Sequence, residues 1–137
     1  MTRTTEILRN GDLPLALHTL STGEGRPLLL LHGLGEQSPT MRPAWTSVWP
    51  GPVLALDFTG HGASGVPVGG GYMPESLMSD VDLVLAARGP CTIVGRGLGA
   101  WVGLLIAGNA SGTVGILNRI QEVLDAFSSL QVVIDGE

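Results

Sequence analysis

The sequence contains no lysine, and its seven basic residues are arginines that lie apart along the chain. Because the formal net charge is −5 and the arginines form no cluster, the sequence excludes the basic surface that binds nucleic acid. Only 14% of the residues are charged and 44% are hydrophobic, a composition typical of folded rather than disordered chains. The 137 residues suffice for one hydrophobic core, so we expect a single domain over residues 1–137.

Cysteine is nearly absent, since Cys91 stands alone. A single cysteine cannot form a disulfide within the chain, and its isolation is typical of proteins from a reducing compartment. Residues 1–6 lack the apolar segment of a secretory signal. We therefore predict a cytoplasmic protein in which Cys91 is a small buried thiol rather than a nucleophile.

Charge is also missing from residues 97–118, where Gly99 and Gly103 form the G-x-x-x-G pattern of paired membrane helices. However, glycine and asparagine recur after Ala107, and such a sequence is a poor membrane span. A buried helix followed by a loop accounts for the same residues. We therefore expect no membrane partner.

Apolar runs and turn residues alternate along the chain. The pattern predicts a strand pair around Asn10-Gly11-Asp12, at residues 7–9 and 15–20, then buried strands at 27–31, 53–57 and 91–94 and a last strand at 131–135. Helical spacing predicts a short helix at 44–49 and longer helices from Pro74 to Gly89, at 98–107 and at 116–127. Strands that alternate with helices indicate an α/β fold with a mainly parallel sheet and flanking helices.

Three loops follow three of the predicted strands, at residues 32–35, 57–64 and 95–99. The ends of parallel strands meet at one edge of a sheet, which is where open α/β sheets place their sites. In this order the loops, with the sequences HGLG, DFTGHGAS and GRGLG, resemble those of the α/β-hydrolase superfamily, in its branch of esterases and lipases. The resemblance covers residues from about 6 to 107.

The resemblance implies a nucleophile elbow, G-x-S-x-G, in which Gly97 replaces the serine. It also implies an oxyanion hole made by the backbone N–H groups of Leu34 and Leu98, which survive the loss of a side chain. The same loops supply the wall of a pocket, for which we expect His32, Gly33, Gly35 and Arg96.

The standard catalytic residues are not present. Gly97 carries no nucleophile, and no histidine follows His61, although the family's base follows its serine. Residues 131–135 match either the sixth or the seventh strand of the family, and both assignments imply a truncated domain that lacks a C-terminal part. Without later strands the elbow strand would lie at an exposed sheet edge, which favours a homodimer through that edge.

Several roles remain open. We interpret the chain as a pseudoenzyme that binds a small apolar ester, acid or amide, or as a fragment; whether it is an enzyme stays open. One alternative is an active hydrolase of small esters or amides with a non-standard nucleophile. Another is a dinucleotide-binding module through Gly95-x-Gly97-x-x-Ala100, although no acid stands about 20 residues later, at Leu117 or Asn118. We expect neither a cofactor nor a metal ion.

Structural roles compete with functional ones at several residues. Arg96 is either an anion anchor or, as we prefer, a partly buried partner of Glu36 or Asp57. For His32 and His61 we prefer loop structure over a role as displaced bases, and we expect Asp57 and Ser64 to brace their loop. We assign the large aromatic residues to the core or a pocket wall, and we prefer a core-facing helix over a lid at residues 116–127; the aromatic residues are Trp45, Trp49, Tyr72 and Trp101.

Overall fold

A computed structural model describes residues 3–69, 74–109, 114–116 and 131–136. Seven strands, two α-helices and one 3-10 helix follow one another along these residues. In chain order they are β1 (Thr4–Asn10), β2 (Leu13–Ser21), β3 (Leu28–Leu31), the 3-10 helix Ala44–Val48, β4 (Val53–Leu56), α1 (Pro74–Arg88), β5 (Thr92–Arg96), α2 (Leu98–Asn109), β6 (Val114–Ile116) and β7 (Gln131–Gly136).

The strands form one sheet in the order β1-β2-β4-β3-β5-β7-β6. The central strands β4, β3 and β5 are parallel, whereas β1, β2, β6 and β7 pair antiparallel. The α/β class is therefore confirmed, and the sheet is mixed, with its parallel part limited to the centre. The central strands are almost wholly buried, which explains why each reads as a continuous apolar run.

The hairpin of β1 and β2 closes through the predicted turn. Asn10 pairs with Leu13, so Gly11 and Asp12 form a two-residue loop. Gly11 has φ of +62°, and no residue other than glycine has a positive φ in the described chain. This geometry is that of a type II′ turn, whose first central position favours glycine.

The C-terminal strands change the expected position of the elbow strand. β7 pairs antiparallel with β5, so β5 does not lie at a sheet edge, and that expectation is wrong. The strand predicted at 131–135 is present, but Ile116 belongs to β6 rather than to a helix, and residues 117–130 lie outside the described part. A homodimer through a sheet edge stays a prediction, with β1 and β6 as the outer strands of the described sheet.

Both helices pack on one face of the sheet. α1 begins at Pro74, ends at Arg88 before Gly89-Pro90, and buries Leu77 and Val81, as predicted. Gly89 has φ of +78°, the left-handed conformation that commonly follows a helix. The core on this face is the larger of two, and it includes residues of β2, β3, β4, β5 and both helices.

The opposite face carries a smaller apolar cluster: Leu20, Leu28, Leu30, Val53, Ala55 and Val94. Trp49 packs against this cluster, and its indole N–H donates to the Arg26 carbonyl oxygen at 2.9 Å. Trp101 is 48% exposed on α2 and is not part of the core, so of its two predicted roles the core role is wrong. Tyr72 lies outside the described residues.

Among the described residues, no helix has both the length and the apolar character that crossing a membrane requires.

Candidate active site

The central strands bring the three loops to one edge of the sheet. Leu31, the last residue of β3, pairs with Leu56 at the end of β4 and with Gly95 near the end of β5. The loops after these strands therefore emerge side by side, as the sequence predicts for a parallel sheet.

The elbow between β5 and α2 keeps the tight geometry that its glycines predict. A Cβ atom on Gly95 would lie 2.5 Å from the backbone nitrogen of Ala100, and one on Gly99 would overlap the carbonyl oxygen of Leu31. Close backbone approach, rather than a special φ, therefore requires glycine at both positions.

Gly97, at the tip of the elbow, is different. Its φ is +55°, and a Cβ atom there would meet only the Cα atom of Gly33, at 3.7 Å. Space for a side chain is present where the resemblance places the nucleophilic serine, and the backbone conformation is the strained one of an elbow.

Two backbone N–H groups flank this tip. Leu98 is the first residue of α2, so its N–H has no acceptor within the helix. Leu34 lies inside a turn closed by the hydrogen bond from Glu36 N to the Gly33 carbonyl oxygen, at 3.1 Å. Neither N–H has a hydrogen-bond partner among the described residues. Both are thus available to an acceptor oxygen.

His32 braces two loops. Its Nε2 accepts a hydrogen bond from Phe58 N at 3.0 Å, so Nδ1 carries the proton and donates to the Gly33 carbonyl oxygen at 2.7 Å. Burial lowers the pKa of His32 and favours the neutral ring, against a smaller opposite effect of the Gly33 hydrogen bond. The structural role predicted for His32 fits this geometry.

His61 joins the same loops from the other side. Its Nε2 accepts from Gly35 N at 3.0 Å, and its Nδ1 lies 3.1 Å from the Thr59 carbonyl oxygen. The His61 and His32 rings are in contact, with centroids 4.9 Å apart. Both imidazoles are therefore engaged in holding the loops, rather than poised as displaced bases.

Asp57 is the hub of the second loop. Its carboxylate accepts from Ser38 N at 2.9 Å, from Ala63 N at 3.0 Å and from His18 Nε2 at 2.8 Å. Burial alone would raise the pKa of Asp57, but these hydrogen bonds outweigh it and lower the pKa to about 2. Ser64 completes the brace, because its hydroxyl donates to the Asp57 carbonyl oxygen at 2.5 Å.

Two buried polar residues, His18 and Asp80, form hydrogen bonds that the sequence does not predict. His18 lies between Asp57 and Thr5, and its Nδ1 is 2.8 Å from the Thr5 hydroxyl oxygen. Asp80 accepts hydrogen bonds from Asn10 Nδ2 at 2.7 Å and from Thr59 N at 2.8 Å, and burial raises its pKa. Asp80 stands between the core residues of α1, a position that could have indicated a buried carboxylate.

Arg96 forms an ion pair with Glu36, with 3.3 Å between Arg96 Nη1 and Glu36 Oε2. Glu36 also accepts from Gly33 N through Oε1, at 3.0 Å. The predicted pairing with a loop acid is confirmed, and the acid is Glu36 rather than Asp57. However, the Arg96 side chain is 55% exposed, more than the partly buried arginine that we expected.

Two cavities open near these loops. A wide cleft of about 720 Å³ runs between the β3 and β4 loops and is lined by Leu34, Gly35, Glu36, Gln37, Gly60, His61 and Gly62. A smaller one of about 180 Å³ lies beside the Arg96–Glu36 pair and is lined by Leu30, Leu31, His32, Glu36, Gln37, Pro39, Pro43, Trp45, Val94, Gly95 and Arg96. In the described chain, no three histidine, cysteine or acidic side chains are grouped to hold a metal ion.

Cys91 lies outside this site. It is buried, its Sγ donates to the Gly89 carbonyl oxygen at 3.3 Å, and burial raises its pKa to about 11. A thiol with so high a pKa is a poor nucleophile near neutral pH, as predicted.

Solved structures similar to this chain are hydrolases of several kinds. An epoxide hydrolase from Vigna radiata has a TM-score of 0.64 and 20% identity, with 78% of this chain and 36% of that chain covered. The thioesterase domain from the curacin biosynthetic pathway has a TM-score of 0.65 and 23% identity, covering 77% and 39%. A membrane phospholipase A described as a bacterial virulence factor has a TM-score of 0.67 and 25% identity, covering 78% and 36%.

These similarities define the class: the chain has the α/β-hydrolase fold. It spans 36–39% of the length of these three neighbours, so it corresponds to part of the fold that they contain. No family model matches the sequence, and no curated protein matches it.

Proposed function

We propose that this chain binds a small apolar ester, acid or amide at the elbow and does not turn it over by serine catalysis. The observation that carries the proposal is Gly97, which leaves space but no hydroxyl at the tip of the elbow. The fold is that of hydrolases, but Gly97, at the position expected for a nucleophile, has no side chain that could form a covalent intermediate.

The backbone around the tip supports binding. The N–H groups of Leu34 and Leu98 are without partners in the described chain, and the two loops lie close enough that a Cβ atom on Gly97 would be 3.7 Å from the Cα atom of Gly33. A carbonyl or carboxylate oxygen between them would accept two hydrogen bonds. The N-terminus of α2 adds a partial positive charge that favours an anionic oxygen.

The proton acceptors of the loops support the lack of turnover. Nε2 of His32 and Nε2 of His61 both accept backbone N–H groups, from Phe58 and Gly35. Neither nitrogen is therefore available to take a proton from an attacking hydroxyl or water unless its loop opens.

A titration with hexanoate tests the binding site. We expect the amide NMR signals of Leu34 and Leu98 to shift together, because both donate to the carboxylate. Leu98→Pro removes one donor at the first helical position, which tolerates proline, whereas the matched Leu98→Ala loses the same side chain but keeps the N–H. Hexanoate affinity, followed at Leu34, should fall about tenfold more in the proline variant.

If the two Leu98 variants lower the affinity for hexanoate equally, the Leu98 N–H does not bind the ligand, and this part of the proposal is wrong. Because Leu98 also packs against the core, a thermal melt of each variant must show that it is folded before the titrations are compared.

Hydrolysis by a non-standard nucleophile is a second candidate, and one observation favours it. Thr5, His18 and Asp57 form a chain of two contacts, each 2.8 Å long, in the order of a nucleophile, a base and an acid. Thr5 is exposed on β1 and lines neither of the two cavities described above, so we favour the binding function.

Reaction with a fluorophosphonate probe distinguishes the two candidates. We expect no labelled residue in the folded parent chain, with heat-denatured chain as the background control. Labelling that peptide mapping places on Thr5, and that Thr5→Val abolishes, would replace the binding function with hydrolysis at this second site.

A further inference from the structure

The smaller cavity lies against the face of the sheet opposite the two helices. Leu30 and Val94 belong to the apolar cluster of that face, and they form the floor of the cavity. Pro39, Pro43 and Trp45, from the chain around the 3-10 helix, form an apolar wall. Its volume of about 180 Å³ holds only a small ligand, because a typical drug site has at least about 300 Å³.

The mouth of this cavity carries both signs of charge. Arg96 and Glu36 line it and face each other at 3.3 Å, with side chains 55% and 40% exposed. An exposed ion pair of this kind contributes little to stability, so its partners can be exchanged for those of a ligand. The Arg96 guanidinium offers five N–H donors, and the Glu36 carboxylate retains lone pairs beyond the one that Gly33 N occupies.

We propose that this cavity binds the zwitterion of a small apolar amino acid. The ligand's carboxylate pairs with Arg96, its ammonium group pairs with Glu36, and its side chain enters the apolar space over Leu30 and Val94. Charge complementarity selects this ligand class: a simple carboxylate meets the repulsion of Glu36, and a simple amine meets the repulsion of Arg96. A zwitterion satisfies both groups without leaving either charge unpaired.

This site adjoins the elbow, because Gly95 and Arg96 of the elbow line it. It binds through the side chains of Arg96 and Glu36, whereas the elbow site uses the backbone N–H groups of Leu34 and Leu98, neither of which lines the cavity. The proposal therefore does not depend on the function of Gly97.

A series of four ligands tests the proposal on the unaltered full chain. The ligands are L-leucine, 4-methylpentanoate, which lacks the amino group, 3-methylbutylamine, which lacks the carboxylate, and glycine, which lacks the apolar side chain. Binding is followed by the indole N–H NMR signal of Trp45. We expect L-leucine to bind about tenfold tighter than each of the other three.

Equal affinity for leucine and its two truncated analogues would overturn the zwitterion proposal, as would the absence of any ligand-induced shift at Trp45. Preference for 4-methylpentanoate over leucine would also overturn it, because a carboxylate site needs no contribution from Glu36.

Two uncharged variants locate the charges. Glu36→Gln keeps an oxygen for Gly33 N, so the loop is preserved, and it should weaken leucine about tenfold while leaving 4-methylpentanoate unchanged or tighter. Arg96→Gln should weaken leucine to a similar extent while leaving 3-methylbutylamine unchanged or tighter. If both variants bind leucine as the parent chain does, the ion pair is not the binding group and the proposal fails.

Discussion

The loop after β4 and the elbow after β5 lie at the same sheet edge, on either side of the loop after β3, yet they are built in opposite ways. In the first, the Asp57 carboxylate, His61 and Ser64 are buried and hydrogen-bonded within the loop, to the chain after β3 or to β2. In the second, Gly97 has no side chain, and the following N–H group has no partner in the described chain. The framework of the site is thus held by side chains, whereas its reactive position is backbone alone.

This difference separates two requirements of such a site, namely a stable loop framework and a reactive side chain. Buried polar groups stabilise a loop when their hydrogen bonds are made, and the Asp57 carboxylate accepts three of them. A nucleophile makes no such contribution, so its loss at Gly97 leaves the packing of the elbow intact. The predictions below test whether stability resides in the first region and ligand contacts in the second.

Asp57→Ala should have the largest effect on stability. It leaves Ser38 N, Ala63 N and His18 Nε2 without their buried acceptor, and the loss of one partner from such a group costs about 3–5 kcal/mol. The free energy of unfolding in urea measures this loss. Asp57→Asn is the matched control, because it keeps one oxygen as an acceptor and should cost less. A loss below about 1 kcal/mol for the alanine variant would show that the brace is dispensable.

The elbow itself provides the next comparison. Gly99→Ala places a methyl group against the Leu31 carbonyl oxygen and should lower the free energy of unfolding by about 3 kcal/mol. Gly97→Ala meets open space and incurs only the cost of its φ of +55°, about 1–2 kcal/mol. Urea unfolding of both variants gives the difference directly. If Gly97→Ala is the more harmful, the elbow is more tightly packed at its tip than the structure indicates.

Much of this edge follows from local sequence. The apolar run of β3 ends in HGLG, and that of β5 ends in GRGLG, so strand, loop and glycine requirements are all encoded within about ten residues. His18 and Asp80 could not be assigned in this way, because their partners are distant: Asp57 lies 39 residues after His18, and Asn10 lies 70 residues before Asp80.

Local sequence also did not predict the direction of β7 or the exposure of Trp101 on α2. The apolar run of β7 predicts a strand but not its direction, and the structure pairs β7 antiparallel to β5. The apolar sequence of α2 predicts that Trp101 lies in the core or a pocket wall, yet this residue is 48% exposed. Pairing direction and burial depend on neighbours that a periodicity does not specify.

Acid should weaken the first region by a smaller amount. The pKa of Asp57 is lowered to about 2 in the folded chain from an ordinary value near 4, so ionisation of this group stabilises folding above pH 4. As the pH falls from about 4 to 2, this contribution is lost, amounting to about 2 kcal/mol. Urea unfolding measured across that range should show the loss in the parent chain and a flatter profile in Asp57→Asn.

Asp80 works in the opposite direction, because its pKa is raised by burial. Its protonated form therefore stabilises folding, a contribution that is present below about pH 4 and is lost as the pH rises from there through the raised pKa. Asp80→Asn removes this contribution, so the decline of the free energy of unfolding above pH 4 in the parent chain should be smaller in that variant. An unchanged or steeper decline above pH 4 in Asp80→Asn would reverse the sign assigned to this carboxyl group.

Gly97→Ser should have the smallest effect, namely no gain in the hydrolysis of p-nitrophenyl acetate. The space for the new hydroxyl is present, but Nε2 of His32 and of His61 each accept a backbone N–H and so cannot take its proton. The parent chain and a denatured sample give the background rate. Hydrolysis above that background, abolished by a serine-directed phosphonate, would mean that one imidazole leaves its loop to act as a base. The hydrogen bonds of His32 and His61 would then be coupled to chemistry at residue 97. The difference between the β4 loop and the elbow would in that case hold only for the chain without ligand.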